Sequence, residues 1–201
     1  MQQPTTKLTI AVRQLATELE IAALQELLLP QGITPVVLKG PHLGSVIYAD
    51  ALERDYCDLD ILVRPDSFMR AVALLEAAGY RRLNGTPGRS ATAESFYNWS
   101  LASPAGVHLE LHRELAPRGR YPVDIDAMVA QAREFRIGRV TARGLRPEHL
   151  LTHLVIHVLK SYFIVEEKHY RDIALSPGPA AGRQPVALAG YYGLLCLVAA
   201  A

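Results

Sequence analysis

The sequence predicts an α/β (α+β) fold in which helices flank a mixed β-sheet. Strand and helix patterns alternate over the first 80 residues, which is typical of strands linked by helices. A hairpin signal then centres on the turn sequence Ser-Pro-Ala-Gly at 103–106. Half of the 201 residues are hydrophobic, enough for a substantial core. We expect a main domain over residues 1–145 and a C-terminal helical segment over 146–201.

The elements follow from local periodicity and from helix-capping residues. Asp66 and Ser67 are suited to begin a helix that Gly79 ends. Pro147 is suited to the first turn of another. The expected helices are 7–29, 41–49, 68–78, 121–134 and 147–162, and the expected strands are 33–38, 57–64, 94–102, 106–114 and 135–142. Residues 84–92 are expected to be a loop, 176–182 a helix-breaking linker and 185–201 a buried apolar end.

Two aspartates one residue apart are the most informative feature of the chain. Asp58 and Asp60 begin an apolar, β-branched run, so both side chains point to one face of a strand, while Leu59 and Ile61 point into the protein. Two neighbouring carboxylates repel each other and lose solvation, and a divalent cation relieves both costs. The motif alone fits a Mg²⁺ site about as well as a solvated strand end.

A third carboxylate lies on a second strand with strict alternation. Over residues 107–112, Val107, Leu109 and Leu111 take one face, and His108, Glu110 and His112 take the other. If the strands are neighbours, Glu110 joins the aspartates, and three carboxylates suit two Mg²⁺ ions. The His-x-Glu-x-His pattern alone also fits zinc, but the nearby aspartates favour a hard metal.

A glycine turn upstream is suited to bind an anion. A short apolar strand ends at Leu38, Lys39 and Gly40 form the turn, and Pro41 is placed at the start of a helix. Such a turn can present backbone N–H groups and the positive end of the helix dipole to a phosphate. Lys39 adds a full positive charge. Many turns of this type bind nothing, so the prediction of a site depends mainly on the acidic strands.

Together these motifs resemble the DNA polymerase β-like nucleotidyltransferase superfamily, and most closely a family of bacterial nucleotidyltransferases with Leu-Lys-Gly at the turn. Leu38-Lys39-Gly40 matches that turn, and Arg54 matches the arginine before the Asp-x-Asp strand. The strand from Asp58 to Val63 matches as well, as does Leu109-Glu110-Leu111-His112 with its trailing histidine. The resemblance covers roughly residues 8 to 175.

The resemblance implies an enzyme that moves a nucleoside monophosphate from an NTP, with ATP expected, to an acceptor and releases pyrophosphate. Asp58 and Asp60 would hold two Mg²⁺ ions, and Glu110 would complete the second site or act as a general base. Lys39, Gly40, Arg54 and His112 would bind the nucleotide, with Arg64 as an auxiliary charge.

A histidine stripe and a later aspartate extend the expected nucleotide site. His149, His153 and His157 recur every four residues and therefore share one helix face. They form either an ordinary polar face or one that covers the site. Asp172 matches an Asp-Ile pattern of the family's second half, and would be a substrate-side residue or one that orients its helix.

Composition narrows the classes of partner. A formal charge of +1 without a lysine-rich run disfavours extended nucleic acid and favours a small-molecule or protein acceptor. Two cysteines and no signal-peptide pattern fit the cytoplasm, and the apolar end is short for a membrane anchor. The alternatives are a nucleotide-binding or antitoxin-like module without turnover, and a zinc hydrolase built on His108, Glu110 and His112.

Overall fold

The computed structural model describes residues 6–83 and 97–176. The helices are α1 (Lys7–Leu28), α2 (Pro41–Val46), α3 (Phe68–Ala77), α4 (Ile125–Ala130), α5 (Pro147–Lys160) and α6 (Glu167–Leu175). The strands are β1 (Val36–Val37), β2 (Leu59–Leu62), β3 (Arg81–Arg82), β4 (Asn98–Ala102), β5 (His108–His112), β6 (Arg133–Ile137) and β7 (Val140–Gly144). This is the mixed α/β architecture that the sequence predicts.

The seven described strands form one mixed sheet in the order β3-β4-β5-β2-β1-β7-β6. Strand β2 lies at the centre, where it pairs parallel with β5 and antiparallel with β1. The two outer pairs on either side, β3 with β4 and β6 with β7, are antiparallel. The central position of β2 buries its backbone and fixes the side chains that it carries.

Alternation along β2 divides the core between the two faces of the sheet. Leu59 and Ile61 lie in the apolar cluster that α1 and α3 cover. Leu62 lies in the other cluster, with residues of α2, α4 and α5. Asp60 is on the same face as Leu62, since residues two apart on a strand point the same way. A buried carboxylate therefore faces the helices of the second half of the chain.

Several predicted boundaries are wrong in an informative way. The strand expected over 135–142 is the hairpin of β6 and β7, which turns at Gly138 in a left-handed conformation. The strand expected over 33–38 contains only two ladder residues, and the helix expected over 121–134 is only α4. Helix α6 lies within the C-terminal helical segment expected over 146–201 but is not among the individual helices predicted. Most of its residues are polar or charged, and only two residues of the helix are buried, so it lacks a clear apolar pattern.

Some predictions fall outside the described residues. These are the loop at 84–92, the apolar end at 185–201, the linker at 176–182 apart from its first residue, and residues 94–96 of the first hairpin strand. The domain division after residue 145 stays a prediction. Within residues 6–83 and 97–176, no helix combines the length and the apolar character that crossing a bilayer requires.

Helix α2 is packed against β7 through an unusually close contact. The His42 ring is 3 % exposed, lies 4.7 Å from the Phe135 ring and occupies the space above Gly144. A Cβ atom at Gly144 would lie 2.5 Å from two atoms of the His42 ring. The absence of a side chain at Gly144 therefore determines how closely α2, which follows the Lys39–Gly40 turn, approaches the sheet.

We predict that Gly144→Ala lowers the free energy of unfolding by about 1–3 kcal/mol, because overpacking forces the ring or the strand to shift. Denaturant titration of the wild type, Gly144→Ala, His42→Ala and the double variant measures this. In the His42→Ala background the added methyl should cost much less, since the ring is gone. An equal cost in both backgrounds would show that the ring is not what excludes the methyl.

Candidate functional site

The site begins with the register of the two central parallel strands. Strand β2 pairs with β5 so that Asp60 lies directly opposite Glu110, and Leu62 opposite His112. Asp60, Glu110 and His112 therefore converge on one face at the middle of the sheet. Asp58 precedes β2 rather than lying within the strand expected over 57–64, and it joins the group through Lys39, which faces both aspartates. The pairing that the sequence predicts, with the polar positions of both strands aligned, is present in the structure.

Charged and hydrogen-bonded partners hold these carboxylates in place. Lys39 Nζ lies 3.2 Å from Asp60 Oδ2 and 3.7 Å from Asp58 Oδ2. His112 Nε2 lies 3.1 Å from Asp60 Oδ1 and 3.4 Å from Glu110 Oε2. Because ionised carboxylates only accept hydrogen bonds, Nε2 carries the proton and donates. Lys39 thus faces one oxygen of the Asp60 carboxylate, Oδ2, and His112 faces the other, Oδ1.

The protonation balance follows from burial and from these partners. Burial alone would raise the pKa of Asp60, but Lys39 and the His112 hydrogen bond hold it below its ordinary value. Burial, together with the charge of Asp60, raises the pKa of Asp58. The His112 hydrogen bond lowers the pKa of Glu110. Two carboxylates are therefore stabilised as anions, while Asp58 is under electrostatic strain.

The donor set fits a divalent cation. Ligand atoms of Asp60, Glu110 and His112 all lie within 4.8 Å of one another. Asp60 Oδ2 is buried and lacks a well-formed hydrogen bond among the described residues, although the Lys39 ammonium is close. Carboxylate oxygens are the ligands that Mg²⁺ prefers. The protonated Nε2 suits His112 to orient the carboxylates rather than to bind metal itself.

The zinc pattern is not assembled in this form. His108 shares the face of Glu110, but its Nε2 lies 2.6 Å from Ser100 Oγ. Among the described residues, the group of neighbouring ligand atoms contains Asp60 in place of His108. The structure thus favours an oxygen-rich site over a two-histidine one.

The turn that precedes α2 has the conformation that its glycine allows. Gly40 has a φ of +61°, and a Cβ atom there would lie 3.3 Å from the Tyr56 ring. Pro41 has no N–H, and the His42 N–H donates to the Lys39 carbonyl oxygen at 3.4 Å, so neither residue offers an amide of this turn to an anion. The main contribution of the turn to the site is the position of Lys39.

Arg54 and Asp172 are paired with each other, away from solvent. Arg54 Nε and Nη2 donate to both oxygens of Asp172 at 2.7–3.0 Å, and Nη1 donates to the Asp55 carbonyl oxygen. Tyr48 Oη donates to Asp172 Oδ1 at 2.7 Å. Asp172 is 0 % exposed. This network joins α6 to the segment before β2, as expected if Asp172 orients its helix. The role of Arg54 and Asp172 in nucleotide binding stays a prediction.

Two members of the histidine stripe, His153 and His157, lie near the acidic face, whereas the charges that act on His149 are those of Arg146, Glu148 and Asp124. His153 is 2 % exposed, and neither ring nitrogen has a hydrogen-bond partner among the described residues. The His157 ring is 6.3 Å from that of His153 and is stacked 4.7 Å from that of His169. Burial, then the Lys39 charge, lowers the pKa of His157 to about 3, so the ring is neutral. Its role in nucleotide binding stays a prediction.

Two polar residues near the carboxylates are not among those that the sequence predicts. Asn98 Nδ2 on β4 donates to Glu110 Oε2 at 3.1 Å. Lys160 ends α5 and lies within electrostatic reach of Asp60, Glu110 and Asp58. The signal for Lys160 is its spacing, since His153, His157 and Lys160 follow the i, i+4, i+7 positions of one helix face.

Comparison with known proteins agrees with this geometry. The profile of a family described as uncharacterised nucleotidyltransferase matches residues 5–175. A search of curated proteins finds no match. Among solved structures, ANT(2'')-Ia in complex with adenylyl-2''-tobramycin has a TM-score of 0.53 and 12 % identity, over 93 % of this chain and 96 % of that one.

A second solved structure supports the same fold. An antigenic nucleotidyltransferase-like protein from Paracoccidioides brasiliensis has a TM-score of 0.53 and 16 % identity, over 90 % of this chain and 87 % of that one. At such identities the likeness concerns the fold. The described sheet and helices therefore have the nucleotidyltransferase architecture.

We predict that Arg54→Met destabilises the protein by about 3–5 kcal/mol, because it leaves the buried Asp172 carboxylate without its countercharge. Denaturant unfolding measures the loss. Arg70→Met is the control, since Arg70 is exposed, donates to the Gln31 carbonyl oxygen and should cost little. Arg54→Met with wild-type stability would show that the pair does not tie α6 to the sheet.

Proposed function

The chain belongs to the uncharacterised nucleotidyltransferase family, and from that membership and the acidic site we propose a Mg²⁺-dependent transfer. A nucleoside monophosphate moves from an NTP, which we take to be ATP, to a hydroxyl or phosphate of an acceptor, and pyrophosphate is released. We also propose that the chain belongs to the branch with Leu-Lys-Gly at the turn, on the match of Leu38, Lys39 and Gly40. With only two cysteines in the chain, we place the reaction in the cytoplasm.

The observation that carries this proposal is that Asp60 lies directly opposite Glu110 on adjacent strands, while Asp58, just before β2, shares the Lys39 ammonium with Asp60. These three side chains would hold two Mg²⁺ ions. When bound, the metal would neutralise charge on the phosphates and on the attacking oxygen. The clustered carboxylates of the pocket lower the free energy of unfolding through mutual repulsion and lost solvation, and such a loss of stability is typical of functional sites.

The protein's own groups position the reaction. His112 donates to Asp60 and faces Glu110, so one buried imidazole sets the orientation of two carboxylates from different strands. Asn98 donates to Glu110 Oε2, the same oxygen that His112 faces. The Glu110 side chain is 27 % exposed, the most accessible of the three carboxylates, and can therefore reach an acceptor hydroxyl and take its proton.

As the family pattern implies, Lys39 and the Gly40 turn are proposed to form the strand side of the nucleotide site, where the Lys39 ammonium neutralises Asp58 and Asp60. His157 would contact the nucleotide from α5, since its charge environment already includes Lys39 and Asp60. Arg54 and Asp172 would contribute by fixing the position of α6 relative to the segment that leads into β2. Arg64, exposed and paired with Asp126 at 2.9 Å, is proposed as an auxiliary charge.

We propose a small-molecule or protein acceptor. The formal charge of +1 supports this, because phosphate-backbone binding requires many cationic contacts. ANT(2'')-Ia, a structural neighbour, was solved with an adenylylated small molecule, which is a precedent on the same fold.

We predict that Asp60→Asn and Asp58→Asn each lower the rate of transfer at least about 100-fold, because they remove a ligand and a charge from the reacting centre. Mg²⁺-dependent release of pyrophosphate from labelled NTPs, across a panel of hydroxyl-bearing acceptors, measures it. Glu76→Gln is the control, because Glu76 is an exposed partner of Arg82 and should leave the rate unchanged.

Folding must be measured beside activity. Asp58→Asn should not lower the unfolding free energy, since burial and the Asp60 charge disfavour its carboxylate. Full Mg²⁺-dependent release in Asp60→Asn would reject the mechanism. Wild-type protein that binds Mg²⁺-ATP but releases no pyrophosphate with any acceptor would instead support the non-catalytic nucleotide-binding or antitoxin-like module.

A further inference from the structure

Lys160 ends α5 with its side chain turned toward the acidic pocket. Its Nζ donates to the Leu115 carbonyl oxygen at 3.3 Å and lies 5.2 Å from the centre of the Tyr97 ring. Among the described residues no carboxylate oxygen lies within 4.0 Å of this ammonium. Lys160 is thus a partly buried cation that is oriented by a carbonyl and an aromatic ring but is not neutralised by an ion pair.

Lys39 differs in that its charge is already used. Its Nζ lies between Asp58 and Asp60, and its side chain is only 13 % exposed. Moving this ammonium to a phosphate would leave two neighbouring carboxylates without it. Lys160 carries no such cost, because its contacts with Leu115 and Tyr97 are neutral.

The charge of Lys160 acts on the same pocket. Burial, followed by the charge of Lys39, lowers the pKa of Lys160, and Asp60, Glu110 and Asp58 oppose this. The same lysine appears among the charges that act on His112, His153 and His157. The Tyr97 ring over which the Lys160 ammonium lies is itself 6.4 Å from the His112 ring, so Lys160 borders the acidic pocket from the end of α5.

We propose that Lys160 is the pocket's phosphate-binding lysine, contacting the polyphosphate of the nucleotide from α5 while Lys39 stays with the aspartates. This rests on the proposed function, which supplies the nucleotide. A phosphate oxygen is a stronger partner for an ammonium than the neutral Leu115 carbonyl. The contact would make α5 part of the nucleotide site through a residue that the strand motifs do not contain.

The test is direct binding, which needs no acceptor and no turnover. Isothermal titration with Mg²⁺-tripolyphosphate, with a non-hydrolysable Mg²⁺-ATP analogue and with adenosine is applied to wild type, Lys160→Met, Lys160→Gln and Lys160→Arg. Both neutral variants should bind the two polyphosphates about 10- to 100-fold more weakly, the size of one charge-assisted hydrogen bond. Lys160→Arg should keep most of the affinity.

Two comparisons separate phosphate contact from a structural role. Adenosine has no phosphate, so its affinity should be the same in wild type and in the neutral variants. Lys7→Met removes a lysine that is 72 % exposed and paired with Asp50, and should change no affinity. Thermal unfolding of each variant shows whether the fold is kept.

Each outcome decides the question. Wild-type affinity for tripolyphosphate in Lys160→Met and Lys160→Gln overturns the inference and leaves the proposed function standing. An equal loss for adenosine and for the polyphosphates also overturns it, since the residue would then only support the pocket. A wild-type protein that binds neither polyphosphate rejects the proposed function, and the inference with it.

Discussion

The parallel pairing of β2 with β5 sets the chemistry of the molecule. It places Asp60 opposite Glu110 in the middle of the sheet, where water is largely excluded. Two carboxylates in such a position would destabilise the fold if they stood alone. Lys39 and His112 offset that cost from the two sides of Asp60. Burial and the neighbouring Asp60 charge still disfavour the anionic form of Asp58, so a further cation beside these carboxylates would be favourable.

The helices of the second half of the chain complete this pocket rather than merely covering it. The buried Arg54–Asp172 pair, with Tyr48, anchors α6 to the segment that leads into β2. Helix α5 places neutral histidines and Lys160 over the same face. This meeting of carboxylates from the sheet and cations from the helices is the basis of our proposal that a metal and a polyphosphate bind here together.

Sequence allows prediction where short-range periodicity determines structure. Alternation over 107–112 requires Glu110 and His112 on one face, and the Asp-x-Asp spacing does the same for Asp58 and Asp60. Long-range contacts leave no such pattern. Arg54 and Asp172 are 118 positions apart, and the residues around each of them do not indicate that the two side chains form a pair. Gly138 falls inside a predicted strand because its left-handed turn depends on the hairpin around it. Lys160 resembles an ordinary charged end of a helix.

The most direct test of the convergence of carboxylates is a crystal structure with Mn²⁺ and a non-hydrolysable ATP analogue, with data collected at the manganese edge. We predict two anomalous peaks that mark Mn²⁺ ions bound by Asp58 and Asp60. Glu110 should be a ligand of one ion, and phosphate oxygens of the nucleotide should lie beside both ions. Manganese bound elsewhere, or a nucleotide that leaves these three carboxylates without metal, would contradict this prediction.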